Sequence, residues 1–303
     1  MTHPAPLPPS GRQFVIRSGD AAAVAVEVGG GLRSFRVGDV DVLDGYAEDE
    51  RASAGRGQVL APWPNRLADG RWTYRGEPQQ LPISEPATNT ASHGLARWLT
   101  WSPVEQAADA VTLQVTVQPQ PGWPGRVTLR TAYRLRGPEL TVTLSARNDS
   151  AAPLPVGLGM HPYLAAGGPV DDCLLDLPVT VRAETDDRGL PTGRVPAEPR
   201  HGWRIGDTQL DTPFTGLRRE PDGWAHVRLA RPDGRTVVLS VDGAWRWLMV
   251  YTGDKAGPGR ARRGLAVEPM TCPPNALASG EDLAELVPGA TLAGSWRIGL
   301  AGL

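Results

Sequence analysis

The 303-residue sequence has few cysteines, almost no net charge and no long apolar run. Its 31 basic and 33 acidic residues nearly cancel, which does not fit a nucleic-acid-binding or anionic-membrane-binding surface. No stretch approaches the ~18 consecutive apolar residues of a transmembrane helix. The start, "MTHPAPLPPSGR", lacks the apolar core of a signal peptide. We therefore expect a cytoplasmic protein with neither nucleic acid nor a membrane as a partner.

Cysteine is represented only by Cys173 and Cys272. These two residues can form at most one disulfide, and they make neither a disulfide framework nor a metal site of their own. The sequence leaves open whether the two thiols lie close together.

Glycine and proline are abundant, with 36 and 30 residues, and leave little room for long helices. Between them, apolar residues alternate with period two, which is typical of half-buried β-strands. The predicted strands lie in 111–119, 126–137, 139–149, 226–243 (two strands), 245–253 and 292–300. Because strands recur about every dozen residues without helical crossovers, we predict an all-β protein built as a large antiparallel β-sandwich.

The strand pattern continues without a linker, so we predict a single domain over residues 12–303 after a disordered tail over residues 1–11. One short helix is expected within 279–289, where Ser279 can cap the first turn. The arginine-containing segment 253–264 is expected to be a mobile, solvated loop because of its glycines and proline.

An arginine next to a proline-stiffened turn is the first candidate for chemistry. In "APWPNRLADGRW", two prolines precede Asn65 and Arg66, so the guanidinium can be presented to hydroxyl groups or to an anion. The alternative is a surface arginine paired with Asp69.

Two histidines beside glycine or proline are the next candidates. In "NTASHGLARWLTW", the glycine after His93 allows a bend that brings the imidazole into a cleft, with Trp98 and Trp101 as a wall or, alternatively, as core residues. In "VGLGMHPYLAAGG", Pro162 biases His161 toward extended backbone. An imidazole has an ordinary pKa of ~6.5 and suits general acid or base catalysis, although a lone histidine is more often structural.

A carboxylate follows an apolar run in "LAVEPMTCPPNAL". Desolvation penalises the charged form of Glu268, so this group is expected either to be used or to be paired with Arg260, Arg262 or Arg263. A further candidate is Asp211 in "GDTQLDTPFTGL", which can accept hydrogen bonds from a polyol or cap a turn.

Taken in order, these stretches resemble the aldose 1-epimerase (galactose mutarotase) family over nearly the whole chain. The resemblance rests on Asn65-Arg66, His93-Gly94, His161 with Pro162-Tyr163, Leu210-Asp211 with Phe214, and Glu268 in "VEPMTCPPNAL". It implies a β-supersandwich fold and the interconversion of the α and β anomers of a free aldohexose such as glucose or galactose. It also implies that no cofactor or metal takes part and that the partner is a small sugar.

The resemblance implies a role for each matched residue. His161 is the expected general acid, Glu268 the general base, and His93 the residue that holds the sugar and its ring oxygen. The expected substrate-binding residues are Asn65, Arg66, Arg97 and Asp211.

One departure from the galactose mutarotase pattern leaves the substrate open. The run "HGLAR" lacks the usual second glycine and leans toward the hexose-6-phosphate epimerase branch, in which Arg97 with Arg66 or Arg71 can form a phosphate clamp. A non-catalytic carbohydrate-binding protein is the alternative from another class. A glycoside hydrolase is disfavoured because only one candidate carboxylate, not a pair, is found. The chain is expected to be a monomer or a homodimer.

Overall fold

The computed structural model describes residues 7–301, and within them the protein is built almost entirely of β-strands. Strands β1 to β27, in chain order, are Gln13–Ser18, Ala21–Val26, Leu32–Val37, Val40–Asp41, Val59–Leu60, Arg66–Ala68, Arg71–Tyr74, Glu77–Gln80, Thr90–Ser92, Ser102–Gln106, Ala110–Val117, Val127–Arg136, Glu139–Asn148, Leu154–Val156, Gly159–Met160, Tyr163–Ala165, Leu174–Leu177, Val181–Thr185, Pro191–Pro196, Arg200–Arg204, Asp211–Thr215, Ala225–Ala230, Thr236–Val241, Trp247–Tyr251, Gly264–Met270, Ala284–Leu286 and Thr291–Ala301. The helical elements are one α-helix, α1 (Ala276–Ser279), and two 3₁₀ turns at Pro86–Thr88 and Val170–Asp172.

Two large antiparallel sheets enclose the core. The first has nine strands in the order β10-β11-β12-β13-β27-β23-β22-β17-β20, and the second has eight, β19-β18-β21-β24-β25-β15-β5 with β16 paired to β25. One buried cluster contains Leu144 and Ile298 from the first sheet and Leu248 and Val267 from the second. The predicted all-β antiparallel sandwich is confirmed.

The predicted hairpins are confirmed in detail. Strands β12 and β13 pair through the two-residue connection Gly137-Pro138, with Arg136 opposite Glu139. Strands β22 and β23 pair around the turn at 231–235, with Ala230 opposite Thr236. In both hairpins the alternating apolar residues point into the core, because period-two alternation places them all on one face of the sheet.

The strand that carries Glu268 lies in the interior of the eight-stranded sheet. Every residue of β25 is buried, and β25 pairs with β24 on one side and with β15 and β16 on the other. The apolar run before Glu268 suggests a strand that ends at the carboxylate, and this expectation is wrong, because the strand continues to Met270 and Glu268 lies opposite Met249. A carboxylate in such a strand is surrounded by protein rather than by water.

The predicted helix over 279–289 is wrong. Helix α1 ends where that prediction began, because Gly280 takes a φ of 74° and closes the turn. Residues 284–286 form β26 instead, which pairs with β14 and buries Leu286 opposite Leu154. Burial of the apolar side chains against another strand has overridden the helical start signal.

The N-terminal residues are partly described. Residues 1–6 of the predicted tail lie outside the described residues, whereas Ser10 and Gly11 are buried, and the Ser10 carbonyl accepts a hydrogen bond from the Val28 amide at 3.0 Å. The single-domain organisation stays a prediction. Within residues 7–301, no helix has the length and apolarity needed to cross a bilayer.

Candidate active site

A cavity of about 610 Å³ brings together all seven residues predicted from the sequence to form the site. They come from five separate stretches of the chain, which the fold brings around one cavity. The residues are Asn65, Arg66, His93, Arg97, His161, Asp211 and Glu268.

The imidazole of His161 and the carboxyl group of Glu268 are in direct contact, with Nε2 3.2 Å from Oε1. His161 follows β15, and its neighbours on either side pair with β25: Gly159 lies opposite Met270, and Tyr163 lies opposite Ala266. Antiparallel pairing therefore places two residues that are far apart in sequence beside each other. Their side chains are only 6% and 3% exposed.

Burial disfavours the charged form of both groups. It lowers the pKa of His161 to about 3, with the charges of Arg56 and Arg97 acting in the same direction. It raises the pKa of Glu268 well above the ordinary value; Asp211 adds to this and Arg66 opposes it. Both shifts favour the neutral form, of the imidazole and of the carboxyl group alike.

Each member of this pair also keeps one polar atom without a partner. Among residues 7–301, neither Nδ1 of His161 nor Oε2 of Glu268 has a hydrogen-bond partner. Buried polar groups are rarely left unsatisfied, so these atoms are suited to a polar ligand that enters the cavity.

His93 lies edge-on to His161, with ring centroids 5.6 Å apart. Its backbone has a φ of 64°, which produces the predicted bend, and its Nδ1 accepts a hydrogen bond from the Asn65 amide at 3.3 Å. Burial lowers the pKa of His93 well below the ordinary value. A neutral imidazole that accepts at Nδ1 carries its proton on Nε2, so this side chain can donate a hydrogen bond.

Arg66 is held before any ligand arrives. Its guanidinium contacts Glu85 through two bonds of 3.1 Å and lies 3.6 Å from a carboxylate oxygen of Asp211. A side chain at Gly189 would overlap the guanidinium, so glycine is required there. The alternative pairing with Asp69 is wrong, because Asp69 contacts Arg188 instead.

Two of the three remaining predicted binding residues, Asp211 and Asn65, differ in their surroundings. Asp211 begins β21, with its side chain half-exposed toward the cavity. Asn65 uses its side-chain oxygen to accept from the Arg66 amide at 2.8 Å, so it shapes the turn that presents Arg66. The turn-capping alternative for Asp211 is wrong because the residue lies in a strand.

Arg97 lines the cavity beside Trp98, with its guanidinium carbon 5.8 Å from the indole centroid. Burial lowers the pKa of Arg97. Trp98 is half-exposed on the cavity wall, whereas Trp101 is fully buried in the core. Trp98 therefore forms part of the cavity wall, as one alternative predicted, and Trp101 is a core residue, as the other predicted. Arg71 lies on β7 against Gln80, outside the residues that line this cavity, so its part in a phosphate clamp is wrong.

The segment 253–264 is tied down by its arginines. Arg262 contacts Asp171 at 2.7 Å and Asp254 at 2.6 Å, and Arg260 contacts Glu50 at 2.5 Å. Neither arginine contacts Glu268, so these partners for the carboxylate are excluded. The expectation of a purely solvated loop is also wrong.

Sequence reasoning missed several residues of the site. Glu85, Gln58, Tyr251 and Lys255 line the cavity. Glu85 stands directly before a proline. Several of the predicted site residues also stand next to a proline, so this position in the sequence could have identified Glu85. The described residues contain no cluster of three or more histidine, cysteine, aspartate or glutamate side chains arranged to hold a metal, and Cys173 and Cys272 are buried free thiols.

An antiparallel sandwich whose cleft combines an imidazole–carboxyl pair with charged hydrogen-bonding groups is suited to carbohydrate. The family model described as Aldose 1-epimerase matches residues 12–299, and the chain belongs to the aldose 1-epimerase family. It is therefore an isomerase that acts on carbohydrates.

Two curated relatives illustrate the range of similarity. The chain is 33% identical over 281 residues to the uncharacterized protein YihR of Escherichia coli (strain K12), which covers 90% of this chain and 88% of that protein. It is 27% identical over 196 residues to galactose mutarotase of Mus musculus, covering 60% of this chain and 56% of the mouse protein.

Solved structures share the fold at lower identity. A galactose mutarotase-like protein from Clostridium acetobutylicum superposes with a TM-score of 0.83 at 17% identity, covering 95% of each chain. Galactose 1-epimerase from Lactobacillus acidophilus NCFM gives a TM-score of 0.78 at 18% identity, over 94% of this chain and 92% of that chain. At such identities these structures support the fold alone.

Proposed function

We propose that this protein is a mutarotase that interconverts the α and β anomers of a free aldohexose such as glucose or galactose. The observation that carries the proposal is the 3.2 Å contact between His161 and Glu268 in the wall of the cavity. Mutarotation removes a proton from the anomeric hydroxyl and adds one to the ring oxygen, so an acid and a base at one site are sufficient. Each positioned group of this kind typically contributes ~10²–10⁴-fold.

The proton count of the pair is the same throughout the reaction. In the empty site the proton favours Glu268, and its transfer to His161 gives an imidazolium and a carboxylate without any change in net charge. Glu268 then accepts the proton of the anomeric hydroxyl while His161 gives its proton to the ring oxygen. The C1–O5 bond breaks, the aldehyde turns about C1–C2, and reversal of both transfers closes the ring on the other face.

Arg66 favours the ion-pair form, because its positive charge opposes the rise in the pKa of Glu268. The remaining residues hold the sugar: Arg66 and Asp211 contact hydroxyl groups, and His93 donates from Nε2 toward the ring oxygen. Asn65 acts by shaping the turn before Arg66.

A neutral sugar fits the charge of the cavity better than a phosphorylated one. Arg66 is already neutralised by Glu85 and approached by Asp211, so a clamp of Arg66 and Arg97 on phosphate would first have to break a bidentate contact. The carboxylates of Asp187 and Asp254 also line the cavity, the latter paired with Arg262, together with the cations Lys255 and Arg188, the latter paired with Asp69. A non-catalytic binding protein is disfavoured, because binding does not need a desolvated acid–base pair.

Polarimetry on freshly dissolved α-glucose and α-galactose tests the proposal. We expect the protein to accelerate mutarotation, glucose 6-phosphate to compete weakly, and Glu268→Gln to abolish the acceleration while sugar binding persists. A rate equal to that of buffer on every free and phosphorylated aldose tested would remove the enzyme assignment. Strong competition by glucose 6-phosphate would transfer the assignment to hexose-6-phosphate 1-epimerase.

The cytoplasmic location and the monomeric or dimeric state stay predictions. Two buried free thiols are compatible with a reducing compartment. Light scattering of the purified chain would determine its oligomeric state.

A further inference from the structure

A column of side chains packs against the face of the His161 ring, whereas Glu268 contacts the ring edge at Nε2. The tyrosine ring of Tyr163 stacks on the imidazole with centroids 5.1 Å apart and planes 9° apart. The guanidinium of Arg56 lies over the tyrosine ring at 4.2 Å, and its Nε and Nη2 donate to one oxygen of Asp44 at 3.2 and 2.7 Å. We call Asp44, Arg56 and Tyr163 the supporting column.

The charge in this column is difficult to explain by stability alone. The side chain of Arg56 is 1% exposed, and its Nη1 has no hydrogen-bond partner among residues 7–301. A buried ion pair of this kind is often no more stabilising than apolar side chains of similar volume. Neither Arg56 nor Tyr163 is among the residues that line the cavity, so neither is placed to contact a sugar.

The column fixes the orientation of the imidazole. Tyr163 is itself anchored, because its phenol donates to the Ala54 carbonyl at 2.9 Å. The next residue, Gly55, closes over the imidazole so tightly that a Cβ there would overlap the ring. The stack on Tyr163 and the close approach of Gly55 both restrict the plane of the imidazole, and in this plane Nε2 lies 3.2 Å from Glu268.

The column also sets where the shared proton rests. The two spacings place the guanidinium within about 9 Å of the imidazole, where its positive charge disfavours a second one. Its partner Asp44 is not among the charges that shift the pKa of His161. The other groups that face His161 are Glu268 at 3.2 Å, His93 at 5.6 Å between ring centroids, and the charge of Arg97. Those groups stay in place when the column is altered, so the contribution of Arg56 can be isolated.

We propose that Arg56 and Tyr163 are positioning residues of the acid–base pair: Tyr163 holds the plane of the His161 ring, and Arg56 keeps the shared proton on Glu268 while the cavity is empty. The proposal rests on the proposed function of His161 and Glu268. It assigns a role to a charge that never touches the substrate.

The test compares two variants of the column by ¹⁵N NMR of the imidazoles at near-neutral pH. The chain has five histidines, so the His161 signals can be assigned from their absence in His161→Asn. In Asp44→Asn/Arg56→Met, which removes the ion pair without leaving a lone carboxylate, we expect the nitrogen shifts of His161 to move toward imidazolium values. We expect the acid limb of kcat/KM to move up by no more than about one pH unit, because the charge of Asp44 is removed together with that of Arg56.

Arg56→Lys is the matched control, because it keeps the charge and loses the planar stack. We expect its pH profile to match that of the wild type. Tyr163→Leu leaves the ion pair in place and removes the ring; we expect kcat to fall about tenfold with KM nearly unchanged, since the loss affects orientation of the catalytic group. If the double variant fails to fold, Tyr163→Leu and Arg56→Lys still carry the comparison.

Unchanged His161 shifts and an unchanged acid limb in a folded double variant would overturn the role of Arg56. A Tyr163→Leu variant that loses stability but keeps kcat would overturn the role of Tyr163. The NMR readout needs no turnover. A wild-type protein without mutarotase activity would therefore count against the proposed function and leave this inference to be decided separately.

Discussion

Two regions of this protein place a histidine beside a carboxylate, and only one of them has the properties of an active site. On the nine-stranded sheet, His226 lies 2.7 Å from the Ser240 hydroxyl through Nδ1 and 3.1 Å from Asp222 through Nε2. In the cavity, His161 contacts Glu268 at 3.2 Å and leaves its Nδ1 without a partner in the described structure.

The difference lies in solvation rather than in residue type. The Asp222 carboxylate is half-exposed, and the hydrogen bond from the Trp224 amide lowers its pKa. The Glu268 carboxyl is buried, and its pKa is raised. A satisfied pair in water gains little from a ligand, whereas a desolvated pair with free polar atoms is prepared to exchange protons with one.

The largest expected effect is on kcat, which should fall when the His161–Glu268 pair is altered and not when His226 is altered. Glu268→Gln and His161→Asn should each lower kcat by ~10²–10⁴-fold, because each removes one positioned proton-transfer group. His226→Asn should leave kcat within about twofold, since no transition-state contact is lost. Polarimetry on α-glucose measures all three. A comparable loss in His226→Asn would show that solvation does not distinguish a catalytic pair from a structural one in this protein.

A smaller effect is expected at Arg66, whose guanidinium is oriented by Glu85. Arg66→Ala should chiefly raise KM, by about tenfold, because it removes a hydroxyl contact made in both the ground state and the transition state. The control is Arg204→Ala, which breaks an exposed pair with Asp172 and should change neither constant. An effect of Arg66→Ala on kcat alone would mean that the arginine binds only the transition state.

The smallest effect concerns stability and has opposite signs in the two pairs. Because the folded-state pKa of Glu268 is raised, the unfolded chain releases a proton above pH ~4.5 that the folded protein retains, so folding weakens as the pH rises. Glu268→Gln cannot ionise and should gain a few degrees in Tm at about pH 8, on the order of 1 kcal/mol, with a smaller gain near pH 5. Thermal melts at the two pH values measure this difference.

The control for stability is Asp222→Asn. The folded-state pKa of Asp222 is lowered, so its contribution is present above its ordinary value and is lost as the pH falls. Its removal should therefore lower Tm slightly at neutral pH. A Tm gain in Asp222→Asn, or a loss in Glu268→Gln at the higher pH, would contradict the assigned difference in solvation.

Much of the fold could be predicted from local patterns. Alternation in 127–136 and 139–148, with Gly137-Pro138 between them, specifies a hairpin. Its register also fixes which side chains face the core, because a shift by one residue would expose all of the apolar ones. The helix expected at 279–289 failed, because the pairing of β26 with β14 is a long-range contact that no local pattern contains. Capping signals are weaker than burial of Leu286 against a partner strand.

The candidate site was predicted from short stretches that contain glycine or proline and from the family resemblance they carry, and all seven predicted residues line the cavity. The residues that pack against His161 outside the cavity were not predicted. Arg56 and Tyr163 are ordinary residues in sequence, and they matter only because the rings of Tyr163 and His161 stack in space. Glu85 stands before a proline, a signal that the sequence does carry, but its contact with Arg66 is known only from the structure.

The sequence by itself determined the antiparallel β architecture through its local periodicity, and through the residue types of its motifs it indicated the family and the candidate proton-transfer groups. Only the tertiary structure decided that Glu268 lies inside a strand and which carboxylate orients Arg66. It also placed the buried guanidinium of Arg56 over the Tyr163 ring, which in turn stacks on His161. Charge states and side-chain orientation depend on groups that are far away in the sequence. These groups come into contact only when the two sheets pack together.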